Sequence, residues 1–367
     1  MINREKYKRL GDFIQLVDVR NRDLAVMNLL GVSVDKSMFP SIANTIGTDF
    51  HTYKVIQPDQ FVYISDTSRR GDKIAISLMK GCAPAIVSSA YTTFEVKDKS
   101  IVIPDYLMMW FRRPEFDRYA RFMSNGSARE IFSWDDMCDV YLPVPDIKEQ
   151  RRIVYEYQAI ETRISTNERL ISKQEELAQT IYKKQFVDSI DSENLPSGWH
   201  LGSLSELADF KYGKLPDKHE ESNLYPYPIF SGYAITGYTD ELMFEDKVVV
   251  IIARGDAGTG RICISPKKCF LTNLAIAIIA KDSLYTNYLY YHLLNSDTYS
   301  LRSGSAQAQI TINSLEPYRI LIPAKDDVIH FKNHVEPILS YIDELKKEEG
   351  VLRKLQDVLL SRMTKTY

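Results

Sequence analysis

Apolar residues recur at every third and fourth position from Gln150 to Gln185: Ile153, Tyr157, Ile160, Ile164, then Asn167, Ile171, Gln174, Ala178 and Ile181. The same spacing returns near the end of the chain as Phe331, Val335, Ile338, Ile342, Leu345, Glu349, Leu352, Gln356 and Leu359. This period predicts two long helices, each with a coiled-coil seam interrupted by polar residues that cost stability but can fix register. Each helix of about 35 residues would be roughly 50 Å long at 1.5 Å per residue. Glu349 and Gly350 are expected to weaken the middle of the second helix, and Pro337 to begin or kink it. The economical arrangement packs the two helices on each other, antiparallel. Ile153, Tyr157, Ile160, Ile164, Ile338, Ile342, Leu352 and Leu359 are then the candidates for helix and partner contacts.

Between the helices the period shortens. Runs rich in Val and Ile, punctuated by Gly and Asp, predict short strands at Phe61–Ser65, Ile74–Leu78, Val248–Ala253 and Ala275–Ala280. Helical patterns follow at Asp105–Met123 and Asn287–Arg302, the first with Arg112, Arg113, Arg118 and Arg121 on its expected outer face.

These elements occur twice in one order. Gly126-Ser127-Ala128 matches Gly304-Ser305-Ala306 at an offset of 304 − 126 = 178, and Pro145 matches Pro323 at 323 − 145 = 178. The offset holds from Ile160 to Ile338 and from Ile164 to Ile342. Further back it widens gradually: 182 for Tyr106 and Tyr288, 188 for Ile74 and Ile262, 191 for Leu10 and Leu201. A drift in one direction is what a duplication with a few extra loop residues in its first copy leaves behind. The aperiodic, Pro- and Gly-bearing stretch before Trp199 marks the boundary. The expected organisation is α+β: a mixed module with small sheets over 1–146, a long helix over 147–187, a linker over 188–198, a second module over 199–325 and a second long helix over 326–367, with an internal pseudo-two-fold repeat.

With 367 residues, 44% of them hydrophobic, the chain can bury more than one core. A net charge of −3 gives no global attraction to nucleic acid, so DNA binding would need local basic patches. The four scattered cysteines form no CxxC pair, which suits core thiols in a reducing cytoplasm and no metal site. No apolar run approaches the roughly 18 residues of a membrane span, and the N-terminus lacks a signal-peptide core.

Leu195-Pro196-Ser197-Gly198-Trp199 with Leu201-Gly202, then Arg254-Gly255, Gly258 and Gly260, Gly304-Ser305-Ala306-Gln307 and the strand ending at Pro323 resemble a target-recognition domain of the specificity (S) subunits of type I restriction-modification enzymes. The first copy carries Leu10-Gly11, Gly126-Ser127-Ala128-Arg129 and Pro143-Val144-Pro145. Its segment Asp146-Ile147-Lys148-Glu149-Gln150 resembles the start of that family's conserved helix. The first copy lacks the Leu-Pro-x-Gly-Trp opening, and the second helix lacks the Glu-Gln pair. The resemblance implies two domains, each reading half of a split, asymmetric site in double-stranded DNA. It implies that the helices fix the spacer, that two methyltransferase (M) subunits dock on the chain, and that restriction (R) subunits join the complex. It implies no catalysis here: S-adenosylmethionine, ATP and magnesium would serve the partners.

Phosphate grip needs Lys and Arg, and base reading needs bidentate Arg, Asn, Gln or Lys. The candidates in the first module are Arg69, Arg70 and Lys73 in a turn between strands, then Arg20 and Lys54, with Arg22 and His51. In the second they are Lys211, Tyr212, Lys214, Arg254 and Arg261, with Tyr233 and Ser231. Two other classes fit parts of the pattern. Asp59, Glu95 and Lys97 faintly imitate a metal-dependent nuclease, although the second copy lacks them, and the helices alone would suit a scaffold that never touches DNA.

Overall fold

A computed structural model describes residues 7–42, 46–67, 71, 73–124, 130–188, 190–191, 194–219, 224–255, 258–303 and 309–364. The chain divides into two compact units: 1–168 with 347–367, and 169–346. Each unit holds one module and a piece of both long helices, which span Ile147–Phe186 and Lys325–Arg362.

The modules repeat in topology as well as in sequence. In the first, a four-stranded antiparallel sheet runs Ile14–Leu16, Thr92–Val96, Phe61–Tyr63, Ile76–Leu78 across its width. In the second, Ala208–Tyr212, Ala275–Ala280, Val249–Ile252 and Ile262–Ile264 take the same places in the same chain order. A two-stranded ribbon joins the two ends of each module: Tyr7–Arg9 with Tyr141–Pro143, and His200–Ser203 with Arg319–Ile322. Single hydrogen bonds repeat too. Phe132 N donates to Ser65 O at 2.9 Å, and Ile310 N to Ala253 O at 3.0 Å. Tyr106 hydroxyl donates to Pro143 O, and Tyr288 hydroxyl to Leu321 O, 178 residues further on. The additional three-stranded sheets differ. Val19–Arg20, Lys54–Ile56 and Ala85–Val87 are antiparallel, whereas Tyr227–Phe230 pairs parallel with Phe270–Leu271.

Strand residues facing the helices are apolar and fully buried, among them Phe61, Phe94, Ile76, Ile251 and Ile276. The helix expected over Asp105–Met123 is two helices, Pro104–Arg112 and Pro114–Met123. Arg113 precedes Pro114, where the helical conformation is disfavoured, and its ψ of 136° breaks the run. Arg113 is therefore not on an outer face: it is buried, 4.3 Å over the Trp110 ring, and Arg112 bonds Tyr157 and Glu161. In the second module the helix stops at Leu294, and the Asp297 carboxylate caps a separate short turn over Thr298–Leu301.

Both long helices run unbroken. Within the first unit, Val154 and Tyr157 share a core with Leu360 and Met363, while Arg163 and Asn167 both bond Glu348, at 2.9 Å each. Within the second, Ile171 packs on Ile342 and Leu345, and Gln185 Nε2 donates to Asp327 O at 2.7 Å. Rising numbers on one helix meet falling numbers on the other, so the pairing in each unit is antiparallel. No seam position named above is exposed. Glu349 and Gly350 do not interrupt the second helix, because Arg353 bonds both Glu349 and Glu168 across that turn. Pro337 lies inside the helix on an exposed face, where its missing donor is not enclosed in protein. Among the described residues no helix is long and apolar enough to cross a membrane.

The two helix starts are anchored differently. Asp146 caps the first through the amides of Lys148 and Glu149. Gln150, fully buried, then accepts from Ile103 N and donates to the carbonyls of Ile101 and Pro145, all at 2.8–2.9 Å. The matching residue of the second copy is Val328, equally buried in an apolar core. There Trp199 Nε1 donates to Asp327 Oδ2 at 2.7 Å instead. Replacing Gln150 by Leu strands one partly buried amide and two carbonyls, so it is expected to destabilise the first unit by about 2 kcal/mol. Urea titration of the variant checks this; a midpoint equal to that of the native chain would contradict it.

Candidate nucleic-acid interface

The repeated topology brings loops together at one end of each four-stranded sheet. In the second module, strands Ala208–Tyr212 and Val249–Ile252 finish at the edge where Ile262–Ile264 and Ala275–Ala280 begin. Lys211, Tyr212, Arg254 and Arg261 therefore sit around that edge. Lys214 follows, its amide bonded to Leu271 O at 2.9 Å.

Two tyrosines pack against Gly258 and Gly260. A Cβ at Gly258 would fall 1.6 Å from the Tyr233 hydroxyl, so this position must be glycine for Tyr233 to lie there. Gly260, at φ +95°, turns the chain past Tyr299 and is fixed by Thr298 Oγ1 donating to its carbonyl at 2.6 Å. Arg261 lies 5.8 Å over the Tyr233 ring and Arg302 4.4 Å over the Tyr299 ring. The Tyr212 hydroxyl accepts from Ile312 N at 3.2 Å, which ties the last strand loop to the same edge.

Charge state distinguishes this edge. Among the described residues, no carboxylate pairs with Lys211, Lys214, Arg254, Arg261 or Arg302, and all five are exposed. Lys211 rests over the Phe244 ring at 5.3 Å. Unpaired guanidinium groups held over aromatic faces can give bidentate hydrogen bonds to phosphate or to guanine without first breaking an ion pair. Ser231 instead stabilises its own turn, accepting from the amides of Tyr233 and Ala234.

In the first module the equivalent edge carries Lys73, exposed and loosely paired with Asp35 at 3.8 Å. Arg69 and Arg70 precede it and lie outside the described residues, as do Gly126-Ser127-Ala128 and Gly304-Ser305-Ala306. Arg20 and Lys54 are brought together, but on the three-stranded sheet, where they are cross-strand neighbours sharing Asp18. Lys54 is largely buried and donates to Tyr91 O at 2.7 Å; burial lowers its pKa. Arg22 is exposed nearby, and His51 Nδ1 bonds its carbonyl.

The nuclease-like residues are committed to structure. Asp59 pairs with Lys99, Glu95 accepts from Gln15 and Gln60, and Lys97 donates to the carbonyls of Gly11 and Asp12. Of the helix positions, Tyr157, Ile164 and Ile342 are buried within their units, and Ile153, Ile160, Ile338, Leu352 and Leu359 are half-buried. Sequence reasoning missed Tyr299 and Arg302. Their only signal was an aromatic and a cation three residues apart, just ahead of the repeated Gly-Ser-Ala.

A family profile described as "Type I restriction modification DNA specificity domain" matches residues 196–351. The type I restriction enzyme MjaIX specificity subunit of Methanocaldococcus jannaschii is 23% identical over 305 residues, covering 72% of this chain and 69% of that protein. The crystal structure of the type I restriction-modification system S subunit from M. genitalium aligns with 97% of this chain and 95% of that one, with a TM-score of 0.61 and 16% identity. That last likeness is one of fold.

Proposed function

We propose that the chain is a specificity subunit of a type I restriction-modification enzyme, a non-catalytic component that gives such a system its DNA specificity, and that each module reads one half of a bipartite target. The observation that carries this is the repeated sheet end. One frame, conserved down to single hydrogen bonds, presents unlike residues: Lys73 in one copy, Arg254, Arg261 and Arg302 in the other. A shared frame with different faces suits two unlike half-sites. The long helices, each running through both units, set the spacer between the half-sites. Their outward faces dock two M subunits, to which R subunits are added. S-adenosylmethionine, ATP and magnesium act on those partners.

Footprinting of the purified chain with its M partner tests the reading. Two short protected patches flanking an unprotected spacer are expected, and mapping of methylated adenines in cells should give a split motif with the same spacer. An intact complex that protects nothing at low salt would leave only a scaffold.

A further inference from the structure

His330 and His334 stand one turn apart on the exposed side of the second long helix, with ring centroids 4.3 Å apart. His334 Nδ1 lies 2.8 Å from the carbonyl oxygen of His330. A carbonyl can only accept, so Nδ1 carries the proton and Nε2 keeps its lone pair. Metal-ligating histidines are commonly prepared this way, with one ring N–H tied to a backbone carbonyl and the other nitrogen free to donate electrons. Histidines at i and i+4 share a helix face, the spacing that helical zinc sites use. Both line an open cavity with Ile181, Lys184, Gln185 and Asp327.

We propose that His330 and His334 form a two-nitrogen site for a divalent ion of the imidazole-preferring class, such as zinc. Hard ions such as magnesium and calcium seek oxygen ligands and are not expected here. Asp327 supplies negative charge beside the site but is held by Trp199 Nε1. Among the described residues no third His, Cys or carboxylate closes the coordination shell, so water completes it. Lys184 lines the same cavity and opposes the ion, which keeps the affinity modest. A bound ion would bridge one turn just inside the start of the helix at Lys325 and stiffen it where Asp327 meets Trp199 and Gln185.

The test is calorimetric titration of the tag-free full chain with Zn2+ alone, then with Mg2+. One saturable zinc event per chain is expected, with none for magnesium. His330→Gln or His334→Gln should each weaken it by about tenfold or more, and the double variant should abolish it. His200→Gln with His219→Gln should leave it intact, and circular dichroism should show every variant as helical as the native chain. Zinc should raise the thermal midpoint of the native chain and not of the double variant. A native chain without a saturable event, or a double variant that binds zinc equally well, would overturn the proposal.

Discussion

Arg254→Ala, Arg261→Ala and Arg302→Ala combined are expected to weaken binding to the target duplex by about 3–4 kcal/mol, on the order of a hundredfold to a thousandfold. The three guanidinium groups surround one end of the second module's sheet, and among the described residues none gives up a carboxylate to reach DNA. Each phosphate neutralised by one of these cations contributes about 0.9 to the slope of log affinity against log salt, so the triple variant should show a slope shallower by about 2–3. Single variants separate the roles. A weakening that is uniform across sequences marks a grip on phosphate, whereas relaxed preference at one base pair marks a hydrogen bond to a base. Lys268→Ala is the control, because it removes an exposed cation that follows the other end of Ile262–Ile264 and already pairs with Glu245. Fluorescence anisotropy with the M partner present, between about 50 and 200 mM salt, reads both quantities. If the triple variant keeps the native slope, this edge does not grip DNA.

The helices and the repeat were legible because both rest on periodic patterns. Ile164, Ile171 and Ile342 follow helical spacing and are buried in the seam, and the drifting offset identified residues that make matching hydrogen bonds, each within its own module, such as Tyr106 and Tyr288. The site was half legible. Arg254 and Arg261 stood out beside glycines, but nothing in sequence told a free cation from a committed one. Lys54 and Arg254 look alike on paper; only folding puts Asp18 beside Lys54. Arg113 misleads for the same reason, since Pro114 breaks the helix and turns the guanidinium onto Trp110. Gln150 was recognisable as part of a motif, yet its three bonds reach Ile101, Ile103 and Pro145, partners that no local pattern encodes.

Acid should loosen the second unit through His292. Its Nδ1 faces the hydroxyls of Tyr182 and Tyr288 at 3.0 and 3.3 Å, and the ring stacks on Tyr288. Tyr288 donates to Leu321 O, so the proton reaching Nδ1 comes from Tyr182, and the imidazole is neutral. Burial pulls its pKa from the ordinary 6.5 down to about 4. The folded form therefore binds a proton less readily than the unfolded chain. The stability this confers is complete above pH 6.5 and is lost as pH falls towards 4. With those two values the loss between pH 7 and pH 5 is about 2 kcal/mol, rising to about 3 near pH 4. Tyr182 belongs to the first long helix and His292 to the module, so protonation acts where the helix is rooted in its own unit. His292→Gln keeps an acceptor for Tyr182 but cannot titrate. Urea midpoints followed by Trp199, the tryptophan of this unit, should fall between pH 7 and pH 5 in the native chain and stay nearly level in the variant. Equal losses in both would assign the acid sensitivity to other groups. The root of the helix in its module would then rest on the packing of Tyr182 and Phe186 against Tyr288, Tyr291 and Trp199.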